Sequence, residues 1–297
     1  MSGRQNSNRR YVFVPDAQPK VNLPAFFRSV ARARQSALLL DYDGTLAPFR
    51  RDRLRATPYR GVTELLKDIM DSGHTRLVIV SGRRASELVP LLNLSPPPEI
   101  WGTHGREHLL SDGTYQQQKI DPDTADALCE ADQWIDGLHF HHMVEHKPGS
   151  LALHWRGLTE QDANVVRGKV LLGWLPIAER ACLTIDHFDG GVELRTGDRN
   201  KADAVRTILS QMDVDAPVAY LGDDECDEDV FRALQDRGLR VLVRPHWRVT
   251  AADLWLRPPV QLLAFLNDWL EASRRSPAQS ARVQLDLSRA GGARESR

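Results

Sequence analysis

The chain has 297 residues, 41% of them hydrophobic, with 39 basic and 40 acidic side chains and a formal net charge of −1. That length supports a buried core in one large domain or two smaller ones, and the balanced charge leaves no footprint for nucleic acid or an anionic membrane surface. Three cysteines, Cys129, Cys182 and Cys226, are too few and too scattered for a disulfide framework or a zinc knuckle, which points to a reducing cytoplasm.

The N-terminal stretch MSGRQNSNRR is polar and basic, and Pro15, Asp16 and Lys20 break the apolar patches after it, so no signal-peptide core is read there. No apolar run approaches the roughly 20 residues of a membrane span. A soluble, cytoplasmic monomer is expected. Residues 1–10 and 275–297 are rich in Ser, Arg, Gln and Gly, and the whole of 1–24 and 275–297 is expected to form disordered tails.

The run Ala37, Leu38, Leu39, Leu40 reads as a strand buried on both faces, stopping at Asp41. A helix is expected from Thr57-Pro58, with Thr57 as cap, Pro58 in the first turn, Val62, Leu65, Leu66, Ile69 and Met70 at helical spacing, and Gly73 as its end. Leu77 to Val80 repeats the buried-strand pattern and stops at Ser81-Gly82; Ala85, Leu88, Val89 and Leu92 then mark a second helix. After Gly105 the rhythm changes. A long helix is expected over 122–142, an alternating strand pair around 144–156, a helix over 159–175, and a hairpin joining Leu183–Phe188 to 192–195 across Asp189-Gly190-Gly191. The β-α rhythm returns with a helix marked by Ala204, Val205, Ile208, Leu209 and Met212, strands at 218–221 and Leu239–Val243, and a helix over 259–272.

This order predicts an α/β protein: a Rossmann-like, doubly wound parallel-sheet core with an inserted α+β cap. The core is placed at 25–107 and 194–274 and the cap at 108–193.

In an open α/β sheet ligands bind beyond the carboxyl ends of the strands. Those ends carry Asp41-Tyr42-Asp43-Gly44-Thr45-Leu46, then Ser81-Gly82-Arg83, then Gly222-Asp223-Asp224-Glu225-Cys226-Asp227-Glu228-Asp229. Carboxylates crowded together repel unless a proton or cation intervenes, and a hard divalent cation with oxygen ligands, best Mg²⁺ when phosphate completes its shell, answers that repulsion. Phosphoryl transfer also needs positive charge and donors around the equatorial oxygens. Lys201 supplies a point charge, Ser81 a hydroxyl, and Gly44 and Gly82 allow close approach of backbone N–H groups. Each residue alone has an ordinary structural reading; their order and placement carry the weight.

That order resembles the haloacid dehalogenase-like phosphatases over about residues 36–272. The Asp-x-Asp-Gly-Thr-Leu segment at 41–46 looks like the family's first motif, Ser81 the second, Lys201 the third and Gly222-Asp223-Asp224 the fourth. The resemblance implies Asp41 as nucleophile and Asp43 as general acid and then base. It implies metal ligation by Asp41, the Asp43 backbone carbonyl and Asp223, with Asp224 and Asp227 supporting the metal shell, and leaves Mg²⁺ against Mn²⁺ open.

Further segments narrow the resemblance to the trehalose-6-phosphate phosphatases: Gly102-Thr103-His104-Gly105-Arg106-Glu107, then Val144-Glu145-His146-Lys147 with Ser150 and His154-Trp155-Arg156, and Val192-Glu193-Leu194-Arg195. It implies His104, Arg106, Glu145, Lys147, His154, Arg156 and Glu193 as sugar-binding residues, and a small sugar phosphate as the partner. A polar sheet face suits a disaccharide, whose hydroxyls each need a matched donor or acceptor; a solvated face with cross-strand ion pairs is the other reading of the same residues. Three positions depart from the family pattern: Thr196 replaces a proline, Cys226 a threonine and Arg106 a small residue. Hydrolysis of trehalose 6-phosphate is therefore expected, against two alternatives: a sucrose-, glucosyl- or mannosyl-type phosphate as substrate, or a catalytically silent sugar-phosphate sensor. Chain crossings near 105–110 and 193–198, with Gly105 and Gly197 as flexible points, would let the cap close over substrate.

Overall fold

Where the strands fall follows from the apolar runs. In the computed structural model, which describes residues 11–13, 21–50, 52–188 and 190–275, the chain begins with β1 (Val12–Phe13), α1 (Leu23–Arg32), β2 (Ser36–Leu40), α2 (Val62–Asp71), β3 (Thr75–Val80), α3 (Ala85–Leu92) and β4 (Glu99–Gly102). A short hairpin follows, β5 (Glu107–Leu109) and β6 (Tyr115–Gln117). Then come α4 (Pro122–Gly137), β7 (Val144–Lys147), β8 (Ser150–His154), α5 (Glu160–Ala181), β9 (Leu183–Phe188) and β10 (Gly191–Thr196). The last third holds α6 (Lys201–Ser210), β11 (Val218–Gly222), α7 (Glu228–Leu234), β12 (Leu239–Val243), β13 (Leu254–Leu256) and α8 (Val260–Arg274).

Two sheets result. The larger runs β1-β13-β12-β11-β2-β3-β4-β5-β6, parallel from β13 to β4 and antiparallel at both edges. Alternation within β2 explains its unbroken apolar run. Leu38 and Leu40 enter the cluster under α1, α2, α3 and α8, whereas Ala37 and Leu39 enter the cluster under α6 and α7. The smaller sheet, β7-β8-β10-β9, is antiparallel throughout. Leu151, Leu153, Val192 and Leu194 turn to α4 and α5 on one of its faces. The register Glu145↔Ala152↔Glu193 puts the charged residues on the other face, towards the larger sheet.

Several sequence expectations move. Residues 11–13 and 21–24, expected in the N-terminal tail, are built into the fold: Tyr11 is buried against Phe265, Val12 pairs with Trp255, and Leu23 opens α1. The remaining tail residues, 1–10, 14–20 and 276–297, and Asp189 of the expected turn lie outside the described residues. The helix expected from Thr57 starts at Val62, because Tyr59 N donates to Leu46 O and turns the chain first. β5 and β6 extend the larger sheet although the cap was placed from residue 108, and β10 carries the smaller sheet to Thr196. α4 stops at Gly137, followed by His139 in the left-handed region. α5 runs on through Pro176 to Ala181, where buried Trp174, Ile177 and Ala178 hold it on the cap sheet. No helix among the described residues is long and apolar enough to cross a membrane.

Candidate active site

The three sequence-distant segments, two acidic and one carrying Ser81-Gly82-Arg83, meet at the carboxyl ends of β2, β3 and β11. Asp41 N donates to Leu221 O at 2.9 Å, which holds the end of β2 against β11. The next residues curl into a turn in which Gly44 takes φ +76°; a Cβ there would lie 2.0 Å from Asp223 Oδ2. Only glycine lets the two loops touch in this way.

Lys201 opens α6, whose start is fixed by a capping box between Asn200 and Asp203. Its ammonium is buried and donates to Asp41 Oδ1 at 2.7 Å and to Asp227 Oδ1 at 2.8 Å. Asp227 also accepts from the Tyr220 hydroxyl at 2.6 Å and from the backbone N–H groups of Asp223 (2.8 Å) and Asp224 (3.0 Å). Both of its oxygens are thus committed to holding the lysine and the loop.

One oxygen each of Asp41, Asp223 and Asp227 lies within 4.8 Å of the others. Burial pushes the carboxyl of Asp41 up to about 7 even beside Lys201. Burial, with Asp41, Asp227 and Asp224 nearby, pushes Asp223 well above the usual carboxylate range. One lysine does not balance three buried acids, an excess of negative charge of the kind that a divalent cation with oxygen ligands would offset. Asp41, Asp223 and Asp224 line the cleft, whereas Asp227 lies behind them.

Asp43 also lines the cleft, and both its oxygens accept from Arg83, at 2.6 Å from Nε and 2.7 Å from Nη2. Ser81 Oγ accepts from Arg83 N at 3.2 Å. A Cβ on Gly82 would meet His104 Nε2 at 2.7 Å, so this glycine admits the His104 ring to the cleft.

The cap sheet forms the opposite wall. Glu193 accepts from Ser150 Oγ at 2.5 Å and from Lys147 Nζ at 2.9 Å, and faces His104 Nε2 at 3.1 Å. Lys147 also reaches across to Gly82 O at 3.1 Å. Glu145 pairs with His154 Nε2 at 2.8 Å and with Arg53, whose other nitrogen reaches Glu87 at 2.6 Å. Burial alone would raise both glutamates. The His154 bond, Lys147 and Arg53 hold Glu145 down at about 2 instead, and Lys147 and His104 hold Glu193 well below its ordinary value. Arg156 donates to Arg50 O at 3.1 Å and lies over the Phe49 ring.

Arg106 is the exception among the expected sugar-binding residues. It is buried away from the cleft and donates to Thr196 Oγ1 at 2.6 Å and to Asp198. Gly149 leaves the room its side chain occupies. Two of the departures from the family pattern, Arg106 and Thr196, therefore contact each other at a chain crossing. Arg195 also stays off the cleft, bonded to Asp186 at 2.5 Å and to Arg199 O at 2.7 Å. The sequence reading missed Arg53, Arg83, Phe49 and Phe188, all of which line the cleft. Arg83 adjoins Ser81-Gly82, a signal that position at a strand end could have raised. Arg53 lies on a one-turn 3-10 helix with no periodic pattern to mark it.

A family model described as trehalose-phosphatase matches residues 39–250. The chain is 29% identical over 285 residues to the trehalose-phosphate phosphatase of Mycobacterium leprae, an alignment that covers 88% of this chain and 62% of that protein. Its fold superposes on the C-terminal domain of the Candida albicans trehalose-6-phosphate phosphatase with TM-score 0.73 and 18% identity, covering 87% of this chain and 99% of that one. A phosphatase of the haloalkanoate (HAD) enzyme superfamily from Bacteroides thetaiotaomicron matches with TM-score 0.54 and 17% identity, covering 86% and 99% of the two chains.

Proposed function

Because the chain belongs to the trehalose-phosphatase family, we propose that it hydrolyses trehalose 6-phosphate to trehalose and phosphate through a phosphoryl group carried on Asp41. The observation that carries this reading is the buried group of Asp41, Asp223, Asp227 and Lys201 at the strand ends, opening on a cleft with a polar far wall. In the first step an Asp41 oxygen bonds to phosphorus as the bond from phosphorus to the sugar oxygen breaks, and Asp43 gives that oxygen its proton. In the second, water bonds to phosphorus and yields a proton to Asp43, while the electron pair of the breaking bond returns to Asp41. Asp43 must leave the Arg83 fork to act as the acid, since both its oxygens accept there.

Lys201, Ser81 and the N–H at Gly82 are the donors for the phosphoryl oxygens; the N–H of Gly44, also expected there, is already donated to Ala47 O at 2.8 Å and closes the turn instead. Mg²⁺, held by Asp41, Asp223 and the Asp43 carbonyl with Asp224 alongside, would neutralise the meeting of carboxylate and phosphate. Asp227 sets that group from behind. His104, Glu145, Lys147, His154, Arg156 and Glu193 read the sugar hydroxyls.

The cleft encloses about 140 Å³, less than the roughly 300 Å³ at the low end of small-molecule sites. The cap sheet therefore swings off the core to admit a disaccharide and closes over it.

The test is phosphate release from trehalose 6-phosphate, sucrose 6-phosphate, glucosyl and mannosyl phosphates, each with and without Mg²⁺. Trehalose 6-phosphate turned over fastest, and only with the metal, is expected; another sugar phosphate far ahead of it sinks the substrate assignment. Asp41→Asn in a folded protein is expected to lose turnover by orders of magnitude, and undiminished turnover would refute the covalent route.

A further inference from the structure

Glu145 uses its two carboxylate oxygens unequally. Oε2 takes both the His154 bond and the Arg53 ion pair. Oε1 is buried and has no hydrogen-bond partner among the described residues. The side chain is 9% exposed and lines the cleft. An ionised oxygen buried without a donor costs free energy, and such an atom at a binding surface marks the place of a ligand donor.

Arg53 accounts for the asymmetry. Its guanidinium is split between two acids rather than laid bidentate on one: Nη2 goes to Glu87, on α3 of the core, and Nη1 to Glu145 Oε2, on the cap. Its own carbonyl accepts from Arg83 Nη1 at 2.9 Å, which fixes the short 3-10 segment that carries it. A simple latch between cap and core would engage both Glu145 oxygens in a fork, the stronger arrangement. The observed geometry gives up that bond and keeps Oε1 open.

We propose that Arg53 is a specificity-determining positioning residue: by tying Glu145 Oε2 to the core, it presents Oε1 to accept a hydroxyl of the sugar. This rests on the sugar-phosphate reading of the same cleft and adds to it a dependence on closure. Glu145 belongs to the cap and Arg53 to the core, so the acceptor is set only when the two meet. Recognition of the sugar is thereby coupled to closing, as in induced fit. Phosphate chemistry at Asp41 does not pass through Arg53, so loss of Arg53 should fall on the sugar rather than on phosphate transfer itself.

The experiment compares kcat/KM for trehalose 6-phosphate with that for p-nitrophenyl phosphate, which lacks the sugar, on the full chain with Mg²⁺. Arg53→Gln is expected to lower the ratio of the two by about tenfold or more, the scale of one weakened hydrogen bond to a charged group, with Arg53→Lys in between. Glu145→Gln should lower it too, and the double variant no further than the worse single one. Equal losses on both substrates, or fully additive effects in the double variant, would overturn the proposal. Thermal melting checks folding; if Arg53→Gln does not fold, Arg53→Lys, which keeps the charge, decides on the same ratio. A wild-type enzyme with no preference for the sugar phosphate would overturn the sugar reading and this inference with it. A normal preference that the variants retain would overturn this inference alone.

Discussion

Gly44 and Asp223 meet so closely that a Cβ on the glycine would lie 2.0 Å from the carboxylate oxygen. The contact joins the loop after β2 to the loop after β11, and so sets how near Asp223 comes to Asp41. Gly44→Ala adds that carbon and also strains a backbone at φ +76°, at a cost of about 1 kcal/mol or more. The variant is expected to fold but to bind Mg²⁺ at least tenfold more weakly, as read by calorimetric titration. Unchanged Mg²⁺ affinity would show that this approach does not build the cation site.

Lys201 is buried between Asp41 and Asp227, and their charges hold its ammonium well above its ordinary value against the burial that would lower it. Lys201→Met keeps the stem and deletes the charge, leaving buried acids uncompensated, a change worth about 3–5 kcal/mol. The expected result is a lower melting temperature without Mg²⁺, partial recovery on adding it, and phosphate release reduced by at least about a hundredfold. A melting curve identical to the wild type would mean that the lysine does not neutralise the acids.

The parallel core strands and the gathering of acids at their ends were legible because their signals are local. Four-residue apolar runs ending in Asp41, Ser81 and Gly222 announce buried parallel strands, and strand ends converge by topology. The less legible parts depend on contacts between distant segments. β5, β6 and β13 are short edge or near-edge strands of three residues each, too short to show a period. Arg106 looked like a sugar contact from its place in Gly102-Thr103-His104-Gly105-Arg106, yet the chain turns at His104 (φ +54°) and sends the next side chain to Thr196. Arg53 had no signal at all, since its partners Glu87 and Glu145 stand 34 and 92 residues away.

Glu99 on β4 should make stability depend on acid. It is 8% exposed; burial would raise its carboxyl, but bonds from His108, Arg76 and Trp101 hold it at about 2. A carboxyl depressed in the folded state gives stability that is present above its unfolded value, near 4.5, and that fades as pH falls towards 2. The depression corresponds to about 3 kcal/mol. Glu99→Gln is expected to lose that amount at neutral pH and to show a flatter decline between pH 4.5 and 2 in urea unfolding. Parallel curves for the two proteins over that window would count against the network.

Arg106 ties β10 to the segment after β4, because it reaches Thr196 at 2.6 Å and Asp198 across one of the two crossings between core and cap. Four other polar cap–core contacts lie in or beside the cleft: Lys147 with Gly82 O, His104 with Glu193, Arg53 with Glu145 and Arg156 with Arg50 O. Those contacts must part to admit a substrate, and the Arg53–Glu145 pair re-forms over it on closure, whereas the Arg106 contacts stay in place throughout. The crossing would then act as the fixed pivot while the cleft contacts open and close. Solution scattering of the wild type is expected to show a larger radius of gyration without ligand than with Mg²⁺ and a non-hydrolysable trehalose 6-phosphate analogue. Arg106→Ala should widen the ligand-free distribution further and raise KM more than it lowers kcat. Identical scattering with and without the analogue would argue against closure, and an unaltered distribution in Arg106→Ala against the pivot.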